Sequence, residues 1–224
     1  MAGVIVLGVL VSGSGTNLQA IVDAVRERRL DARVAVVVSN VPGAKALDRA
    51  REAGIEAVVI DHKGFASRSA FDAAVVDVLR ARGVELVVLA GFMRLLTPTL
   101  LDAFPMRIVN VHPALLPAFP GVAGQRQALD HGVMVTGCTV HFVDGGTDTG
   151  AIIAQATVPV LDGDDEATLT ARILEKEHDL LPRVLQWIVE GRVHVETREG
   201  ARPRVRVDDE RGERGERGER GERE

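Results

Sequence analysis

The sequence predicts an α/β fold: a doubly wound, mostly parallel sheet with an antiparallel C-terminal extension and a long closing helix. Short apolar runs alternate with amphipathic segments, and five such runs occur within about 110 residues of the N-terminal half. This alternation is typical of parallel strands joined by right-handed helical crossovers. Beyond Thr136 two strand-like runs follow each other directly, which indicates an antiparallel pair.

The N-terminal half supplies the parallel strands. Val4–Val11 is apolar throughout, as expected of a strand that is buried on both faces. After it, Leu18, Ile21, Val22 and Val25 recur at helical spacing. The same alternation then repeats. We expect further strands at Val34–Val38, Ala57–Ile60, Leu86–Ala90 and Arg107–Val111, and further helices at Ala44–Ala53, Ser69–Arg82 and Leu95–Ala103.

The C-terminal part is expected to add antiparallel strands and one long helix. Thr136–Val143 and Ala151–Val158 are predicted to pair through the loop Asp144–Gly150. The helix Ala167–Val189 is expected to close the domain, with a kink at Pro182 because proline lacks the amide proton of a helical hydrogen bond.

We expect one folded domain across residues 1–200, ending in an edge strand at Val193–Thr197. The segment 208–224 repeats Arg-Gly-Glu four times, and no apolar residue follows Val207. Because such a segment cannot bury a core, we predict a disordered, low-complexity tail. An inert extension is favoured over an interaction tail.

Composition excludes several classes of function. The 27 Lys and Arg residues are balanced by 32 Asp and Glu residues, so a nucleic-acid partner is not expected. The single cysteine excludes a disulfide framework, and the six histidines have no metal-ligand spacing, so no metal is expected. The sequence has neither an apolar stretch long enough for a membrane span nor signal-peptide features at Met1–Leu10. We therefore expect a cytoplasmic protein.

The first candidate site is the glycine-rich loop Ser12–Asn17, between the first strand and the first helix. Glycines allow an anion to approach the backbone, and the amides that open a helix carry positive partial charge. Leu18 stands where a dinucleotide fingerprint has its third glycine, and the Gly-Lys-Ser/Thr of a triphosphate loop is absent. A monophosphate site is therefore favoured. A tight turn with Thr16 or Asn17 as the N-cap is the structural alternative.

The second candidate is the end of the fifth strand, where Asn110 and His112 interrupt an apolar run. Side chains two residues apart share one face of a strand, and Pro113 keeps His112 extended. Open α/β sheets bind their ligands at this carboxyl end. An amide and an imidazolium can stabilise a developing oxyanion, so a catalytic role is favoured. Aspartates of the loop Asp144–Gly150 could raise the pKa of the histidine and orient it.

The third candidate is Glu177, which interrupts the apolar face of the last long helix. Leu169, Ile173, Leu180 and Val184 define that face, and Glu177 falls between them. Because burying an unpaired carboxylate is costly, we expect Glu177 to contact a cationic ligand or a basic residue.

These segments resemble the phosphoribosylglycinamide formyltransferase (glycinamide ribonucleotide transformylase) family. The resemblance covers about residues 4–197 and depends on five matching segments. They are Ser12–Ala20, Leu89–Arg94, Asn110–Pro117, Gly137 with Thr139–Val143, and Glu177–His178. The resemblance implies a formyltransferase fold and the transfer of a formyl group from 10-formyltetrahydrofolate to the primary amine of glycinamide ribonucleotide, in purine biosynthesis.

The resemblance also implies a role for each matching residue. His112 would be the proton donor, Asp148 would raise its pKa, and Asn110 would help to stabilise the oxyanion. The substrate nucleotide would be bound by Gly15, Thr16, Asn17, Leu174, Glu175, Lys176 and Glu177. The formyl donor would be bound by Arg68, Met93, Arg94, Leu95, Leu96, Asn110, Asp144, Gly145, Gly146, Thr147 and Asp148.

One segment departs from the family pattern. After Pro120-Gly121 the family usually carries a histidine, whereas Val122–Gln127 has none, and Gln125 or Arg126 is the candidate replacement. Two other functions stay open: another folate-dependent formyltransferase or hydrolase, and a non-catalytic folate- or nucleotide-binding module. The expected partners are small molecules, neither nucleic acid nor membrane, and the expected state is a monomer or a homodimer.

Overall fold

The computed structural model describes residues 3–208 of the 224-residue chain. The tail predicted for residues 208–224 therefore lies, from residue 209 on, outside the described residues. The described elements follow in this order: β1 (Ile5–Val11), α1 (Thr16–Arg26), β2 (Ala32–Ser39), α2 (Lys45–Glu52), β3 (Glu56–Val59), α3 (Arg68–Arg80), β4 (Leu86–Leu89), α4 (Pro98–Leu101), β5 (Ile108–His112), α5 (Gly124–Asp130), β6 (Val135–Phe142), β7 (Ile152–Pro159), α6 (Glu166–Val189), β8 (Val193–Glu196) and β9 (Arg204–Val207).

Within residues 3–208 the strands form one sheet in the order β3-β2-β1-β4-β5-β6-β7-β9-β8. Strands β1 to β5 are parallel, and β6 and β7 add the antiparallel extension. Strand order reverses at β1, which lies between β2 and β4. The predicted fold class is confirmed, and the carboxyl ends of β1, β4 and β5 meet where open α/β sheets bind ligands.

The sheet has an apolar core on each face. In β1, Leu7 and Val9 belong to the first core, whereas Leu10 belongs to the second. Helices α1 and α6 contribute buried leucines and isoleucines to the first core, and α3 contributes Phe71 and Leu79 to the second. No helix within residues 3–208 combines the length and the apolar composition that crossing a bilayer requires.

The helix predicted over Leu95–Ala103 is wrong in extent, because only Pro98–Leu101 is helical. Asp72 of α3 accepts two hydrogen bonds of 2.7 Å from Thr97, one from its backbone amide and one from its hydroxyl. These bonds hold Thr97 in an extended conformation, and Pro98 is suited to start a helix. Residues 93–97 therefore form a loop.

Two elements were not predicted, α5 and β9. Helix α5 is short, and its N-cap Ala123 is left-handed with φ 57°, a conformation that sequence patterns do not anticipate for alanine. Strand β9 continues the sheet beyond residue 200 and separates β7 from β8, the predicted edge strand. Helix α6 continues through Pro182 without ending there, and the kink stays a prediction.

Candidate active site

Asn110 and His112 lie at the carboxyl end of β5, as the strand periodicity predicted. The antiparallel register with β6 places His141 opposite Asn110 and Thr139 opposite His112. Both histidines are almost completely buried, with 3% of His112 and 1% of His141 exposed. The end of β5 is thus a polar site enclosed by the apolar sheet.

Asp148 joins these side chains into one group, the His112 cluster: Asn110, His112, His141 and Asp148. One carboxylate oxygen of Asp148 is 3.4 Å from His112 Nδ1, and the other is 3.5 Å from His141 Nε2. Asn110 Nδ2 is 3.2 Å from His141 Nε2. The amide, the imidazole and the carboxylate singled out in the sequence therefore converge.

The backbone partners identify which ring nitrogens carry protons. His112 Nε2 is 2.8 Å from the carbonyl oxygen of Phe119, and His141 Nδ1 is 2.8 Å from that of Phe142. Because a carbonyl oxygen only accepts, both nitrogens carry a proton. His141 Nε2 faces both Asn110 Nδ2 and Asp148 Oδ1. It accepts from Asn110 in the neutral ring, and it donates to Asp148 when it carries a proton.

Burial is the main influence on the pKa of His112. It lowers the pKa below its ordinary value, although the charge of Asp148 and the Phe119 carbonyl act in the opposite direction. The net shift is opposite to the one expected from the sequence, because that expectation included Asp148 but not the loss of solvation. Burial raises the pKa of Asp148, but hydrogen bonds from His141 and Gly121 and the charge of His112 outweigh this and lower it.

The loop between β6 and β7 is shaped by its own residues. Asp144 Oδ1 accepts hydrogen bonds from the Gly146 amide and the Thr149 hydroxyl, so this aspartate is engaged within the loop. Asp148 has a left-handed backbone with φ 55°, and its Oδ2 accepts a 2.7 Å bond from the Gly121 amide. The two aspartates thus differ: Asp144 folds the loop, and Asp148 faces the His112 cluster.

The glycine-rich loop opens α1 without a side-chain cap. The N-cap is Gly15, with φ 72°, so the predicted alternative of Thr16 or Asn17 as the N-cap is wrong. A Cβ atom at Gly15 would lie 2.6 Å from the Cβ of Ala46, which only glycine avoids. The first-turn amides of α1 therefore point away from the helix without a side-chain acceptor, as an anion site requires.

Asn17 is the second residue of α1, and its side-chain amide contacts Glu177. Asn17 Nδ2 donates to Glu177 Oε2 at 2.7 Å, and only 4% of Glu177 is exposed. Burial raises the pKa of Glu177 to about 7, against a smaller opposite effect of Asn17. The expected basic residue is thus replaced by a neutral amide, and a cationic ligand stays a prediction. Neighbouring Leu174 is half-buried, and Glu175 and Lys176 are exposed.

The loop after β4 presents apolar side chains to solvent near the same edge. Met93 is 71% exposed and Leu95 is 56% exposed, whereas Leu96 packs on the second core. The Met93 amide donates to Ser12 Oγ at 2.9 Å, which ties this loop to the end of β1. The guanidinium carbon of Arg94 lies 4.6 Å from the centre of the Phe71 ring.

Arg68 is not brought into the cluster. It is exposed at the first residue of α3, and no described hydrogen bond or ion pair joins it to the residues of the His112 cluster.

The segment that departs from the family pattern is held by Gln127. Its Nε2 donates to the carbonyls of Pro120 at 3.2 Å and Val122 at 2.9 Å. Of the two replacements suggested by the sequence, Arg126 pairs with Asp130 at 3.4 Å, and Gln125 is half-buried. Gln127, which the sequence analysis did not single out, thus holds the loop, and the replacement of the missing histidine by Gln125 or Arg126 stays a prediction.

Thr139 supports the chain that follows His112. Its hydroxyl donates to the Ala114 carbonyl at 2.7 Å and accepts from the Leu116 amide at 3.0 Å. The sequence analysis placed Thr139 and His141 in a segment that resembles the family, but it gave neither residue a role. The β5–β6 register, which no single-sequence pattern gives, is the signal that would have identified both.

Cys138 is a core residue on β6. It is fully buried, and burial, assisted by the charge of Glu177, raises the pKa of its thiol to about 12. Within residues 3–208, no three His, Cys, Asp or Glu side chains are grouped so that they could hold a metal ion.

Comparisons with known proteins identify what this arrangement is similar to. A family model described as formyl transferase matches residues 6–185. The trifunctional purine biosynthetic protein adenosine-3 of Drosophila melanogaster is 51% identical over 187 residues, 83% of this chain but 14% of that protein. The phosphoribosylglycinamide formyltransferase of Escherichia coli (strain K12) is 43% identical over 185 residues, 83% of this chain and 87% of that enzyme.

A solved structure extends the likeness to three dimensions. The crystal structure of glycinamide ribonucleotide transformylase 1 from Symbiobacterium toebii is 55% identical, with a TM-score of 0.87. The match covers 92% of this chain and 95% of that chain. By contrast, the chain spans only 14% of the Drosophila trifunctional relative and 19% of its Gallus gallus counterpart.

Proposed function

The chain belongs to the formyl transferase family and, within it, to the phosphoribosylglycinamide formyltransferases, and on this premise we propose that it transfers a formyl group from 10-formyltetrahydrofolate to the primary amine of glycinamide ribonucleotide. The observation that carries the proposal is the convergence of Asn110, His112 and Asp148 at the end of β5. An amide donor, an imidazole and a carboxylate suit acyl transfer, because negative charge develops on the carbonyl oxygen.

The nucleotide is assigned to the loop Gly15–Asn17 and the segment Leu174–Glu177. The uncapped first turn of α1 offers amide protons to the phosphate. The Asn17–Glu177 hydrogen bond joins the two segments, so both reach one ligand. With a pKa of about 7, Glu177 can accept a hydrogen bond from a ribose hydroxyl or pair with the substrate amine when ionised.

The formyl donor is assigned to the loop Met93–Leu96, the loop Asp144–Asp148, Asn110 and Arg68. The exposed Met93 and Leu95 offer apolar contacts to the flat rings of the donor, and the His112 cluster suits its polar one-carbon group. Bound there, 10-formyltetrahydrofolate supplies an activated formyl carbon that an amine can attack.

His112 and Asn110 act on the oxygen of the transferred group. Asn110 Nδ2 and His112 Nε2 donate to that oxygen as the deprotonated substrate amine adds, so the formyl oxygen replaces the Phe119 carbonyl as the partner of His112. Asp148 stabilises the positive charge of His112. The bond from the formyl carbon to the folate nitrogen then breaks as the imidazolium proton passes to that nitrogen, directly or through water. The proton that the added amine loses returns to His112. The transfer is direct, with no covalent enzyme intermediate.

The test is a formyl-transfer assay with the purified chain. Formylated glycinamide ribonucleotide and tetrahydrofolate should appear together, and only when both substrates are present. Release of formate without the nucleotide would indicate a hydrolase, and binding of both ligands without product would indicate a non-catalytic module. Either result would overturn the proposal.

The proposed enzyme works in the cytoplasm as a monomer or a homodimer. Sedimentation of the purified chain would distinguish the two oligomeric states.

A further inference from the structure

The loop that carries Asp148 is contacted by the C-terminal segment of the described chain. Strand β9 is inserted between β7 and β8, and Arg204 of β9 pairs in parallel with Ile152 of β7. Asp148 lies four residues before Ile152, and Arg202 lies two residues before Arg204. The parallel register therefore brings Arg202 alongside the loop that ends at Gly150.

Arg202 makes a specific contact there. Its Nη2 donates a hydrogen bond to the backbone carbonyl oxygen of Asp148. Its Nη1 is buried and has no hydrogen-bond partner within residues 3–208. Burying a guanidinium N–H without a hydrogen-bond partner raises the free energy of the fold. The loss of water contacts therefore opposes the inward position of Arg202. The contact with the loop is the interaction that offsets this cost.

Asp148 needs such support because its backbone is unfavourable. Asp148 has a left-handed backbone with φ 55°, a conformation that is unfavourable for a residue with a side chain and persists where neighbours fix it. The Gly121 amide, His112 and His141 hold the carboxylate of Asp148. The peptide unit that begins with the Asp148 carbonyl is planar, so a hydrogen bond to that carbonyl fixes the orientation of the whole unit. This restrains the backbone of Asp148 on the C-terminal side of its Cα atom.

We propose that Arg202 is a positioning residue of the active site, whose guanidinium holds the Asp148 backbone so that the carboxylate faces His112 and His141. This inference rests on the proposed function. Arg202 does not touch the groups that would react. It acts through Asp148, and it makes the segment just before β9 a part of the site.

The test compares Arg202→Ala with Arg202→Lys in two measurements. Arg202→Ala should lower kcat about 10–100-fold, the size expected when a catalytic group is displaced by about 1 Å, and leave KM for glycinamide ribonucleotide within about twofold. NMR titration of the His112 ring, without substrates, should give a lower pKa, in the direction that Asp148→Asn produces. Arg202→Lys, which keeps a charged donor, should restore most of both values.

The matched control is Arg204→Ala, which removes an exposed arginine two residues along β9 and should leave both measurements at wild-type values. A folded Arg202→Ala with an unchanged His112 titration would overturn the inference, whatever its kcat. If Arg202→Ala does not fold, Arg202→Gln carries the same comparison. Because the titration needs no substrate, a wild-type chain without formyl transfer would refute the proposed function and leave this result standing.

Discussion

His112 and Glu177 demonstrate, at the scale of single residues, that burial sets the charge of the proposed site. Burial lowers the pKa of His112 and raises that of Glu177 to about 7, so both shifts favour the neutral form. A nucleotide phosphate or a substrate amine that enters the site would change this balance.

The roles assigned to His112 and Asp148 predict the effect of removing either group. His112→Ala or Asp148→Asn should reduce turnover by about 10²–10⁴-fold, because each loses a donor or the charge that stabilises it. The measurement is steady-state kinetics, with urea unfolding to verify that the fold is retained. His194→Ala, at the distant edge strand β8, is the control and should keep wild-type turnover. Wild-type turnover in either site variant would contradict the assigned roles.

The raised pKa of Glu177 predicts a pH-dependent stability. Between pH 4.5 and about 7 the native carboxyl keeps its proton while the unfolded one releases it, so this residue's contribution falls as pH rises. The loss is about 3 kcal/mol across that window. Glu177→Gln cannot titrate, so urea unfolding at pH 5 and pH 7.5 should show it gaining stability relative to wild type. Glu175→Gln changes an exposed neighbour, so the pH dependence of its unfolding free energy should equal that of the wild type. The same pH dependence in Glu177→Gln would contradict the prediction.

The residue scale was partly predictable. Strand periodicity alone placed Asn110 and His112 on one face, and helical periodicity placed Glu177 inward. Asp148 entered through the family resemblance, because nothing in a glycine-rich loop indicates which aspartate turns toward a histidine. The sign of the His112 shift was not predictable, since it depends on how much solvent the surrounding chain removes.

At the scale of elements, single polar side chains from other elements hold the loops at the carboxyl edge. Ser12 accepts from the Met93 amide and donates to Asn40 at 2.6 Å, which links the ends of β1, β2 and β4. Asp72 holds Thr97, and Thr139 holds Leu116. Each contact joins residues more than twenty positions apart. This is why the helix predicted over Leu95–Ala103 was too long and the loop before α4 was missed.

Asp72 offers the clearest test at this scale. It is 2% exposed, and Asp72→Ala would leave the amide and hydroxyl of Thr97 without an acceptor. The unfolding free energy should fall by about 2–4 kcal/mol, and KM for the formyl donor should rise because Met93–Leu96 loses its anchor. Urea unfolding and steady-state kinetics measure the two effects.

The control for Asp72 lies on the exposed face of the same helix. Asp77→Ala should change the unfolding free energy by no more than about 0.5 kcal/mol. Asp72→Asn keeps an acceptor oxygen, so its free energy of unfolding should lie between those of Asp72→Ala and Asp77→Ala. Equal stability of Asp72→Ala and Asp77→Ala would mean that Asp72 does not anchor the loop.

At the scale of the whole molecule, the two cores share one sheet. Leu7 and Val9 face one core and Leu10 faces the other, so neither core survives the loss of β1. The alternation of apolar runs and amphipathic helices was enough to predict this architecture. The position of β9 between β7 and β8 was not predictable. The order of strands along the chain does not indicate that β9, the later strand, lies next to β7 in the sheet and β8 at the edge.

The shared sheet predicts cooperative unfolding of the described domain. Trp187 on α6 packs against the first core, and its fluorescence should report the same urea midpoint as far-UV circular dichroism, which reports helices on both faces. The matched comparison is the same pair of probes in Asp72→Ala, whose lesion lies on the opposite face. Its two midpoints should decrease together. Separate midpoints in either protein would mean that the faces unfold independently.

The chain's single thiol is enclosed between the sheet and α6, and its pKa of about 12 leaves almost no thiolate at neutral pH. The thiolate, not the thiol, attacks an alkylating reagent, so only molecules in which this part of the sheet has opened would be alkylated. The rate of alkylation under native conditions would then report how often this part of the sheet opens, without any denaturant.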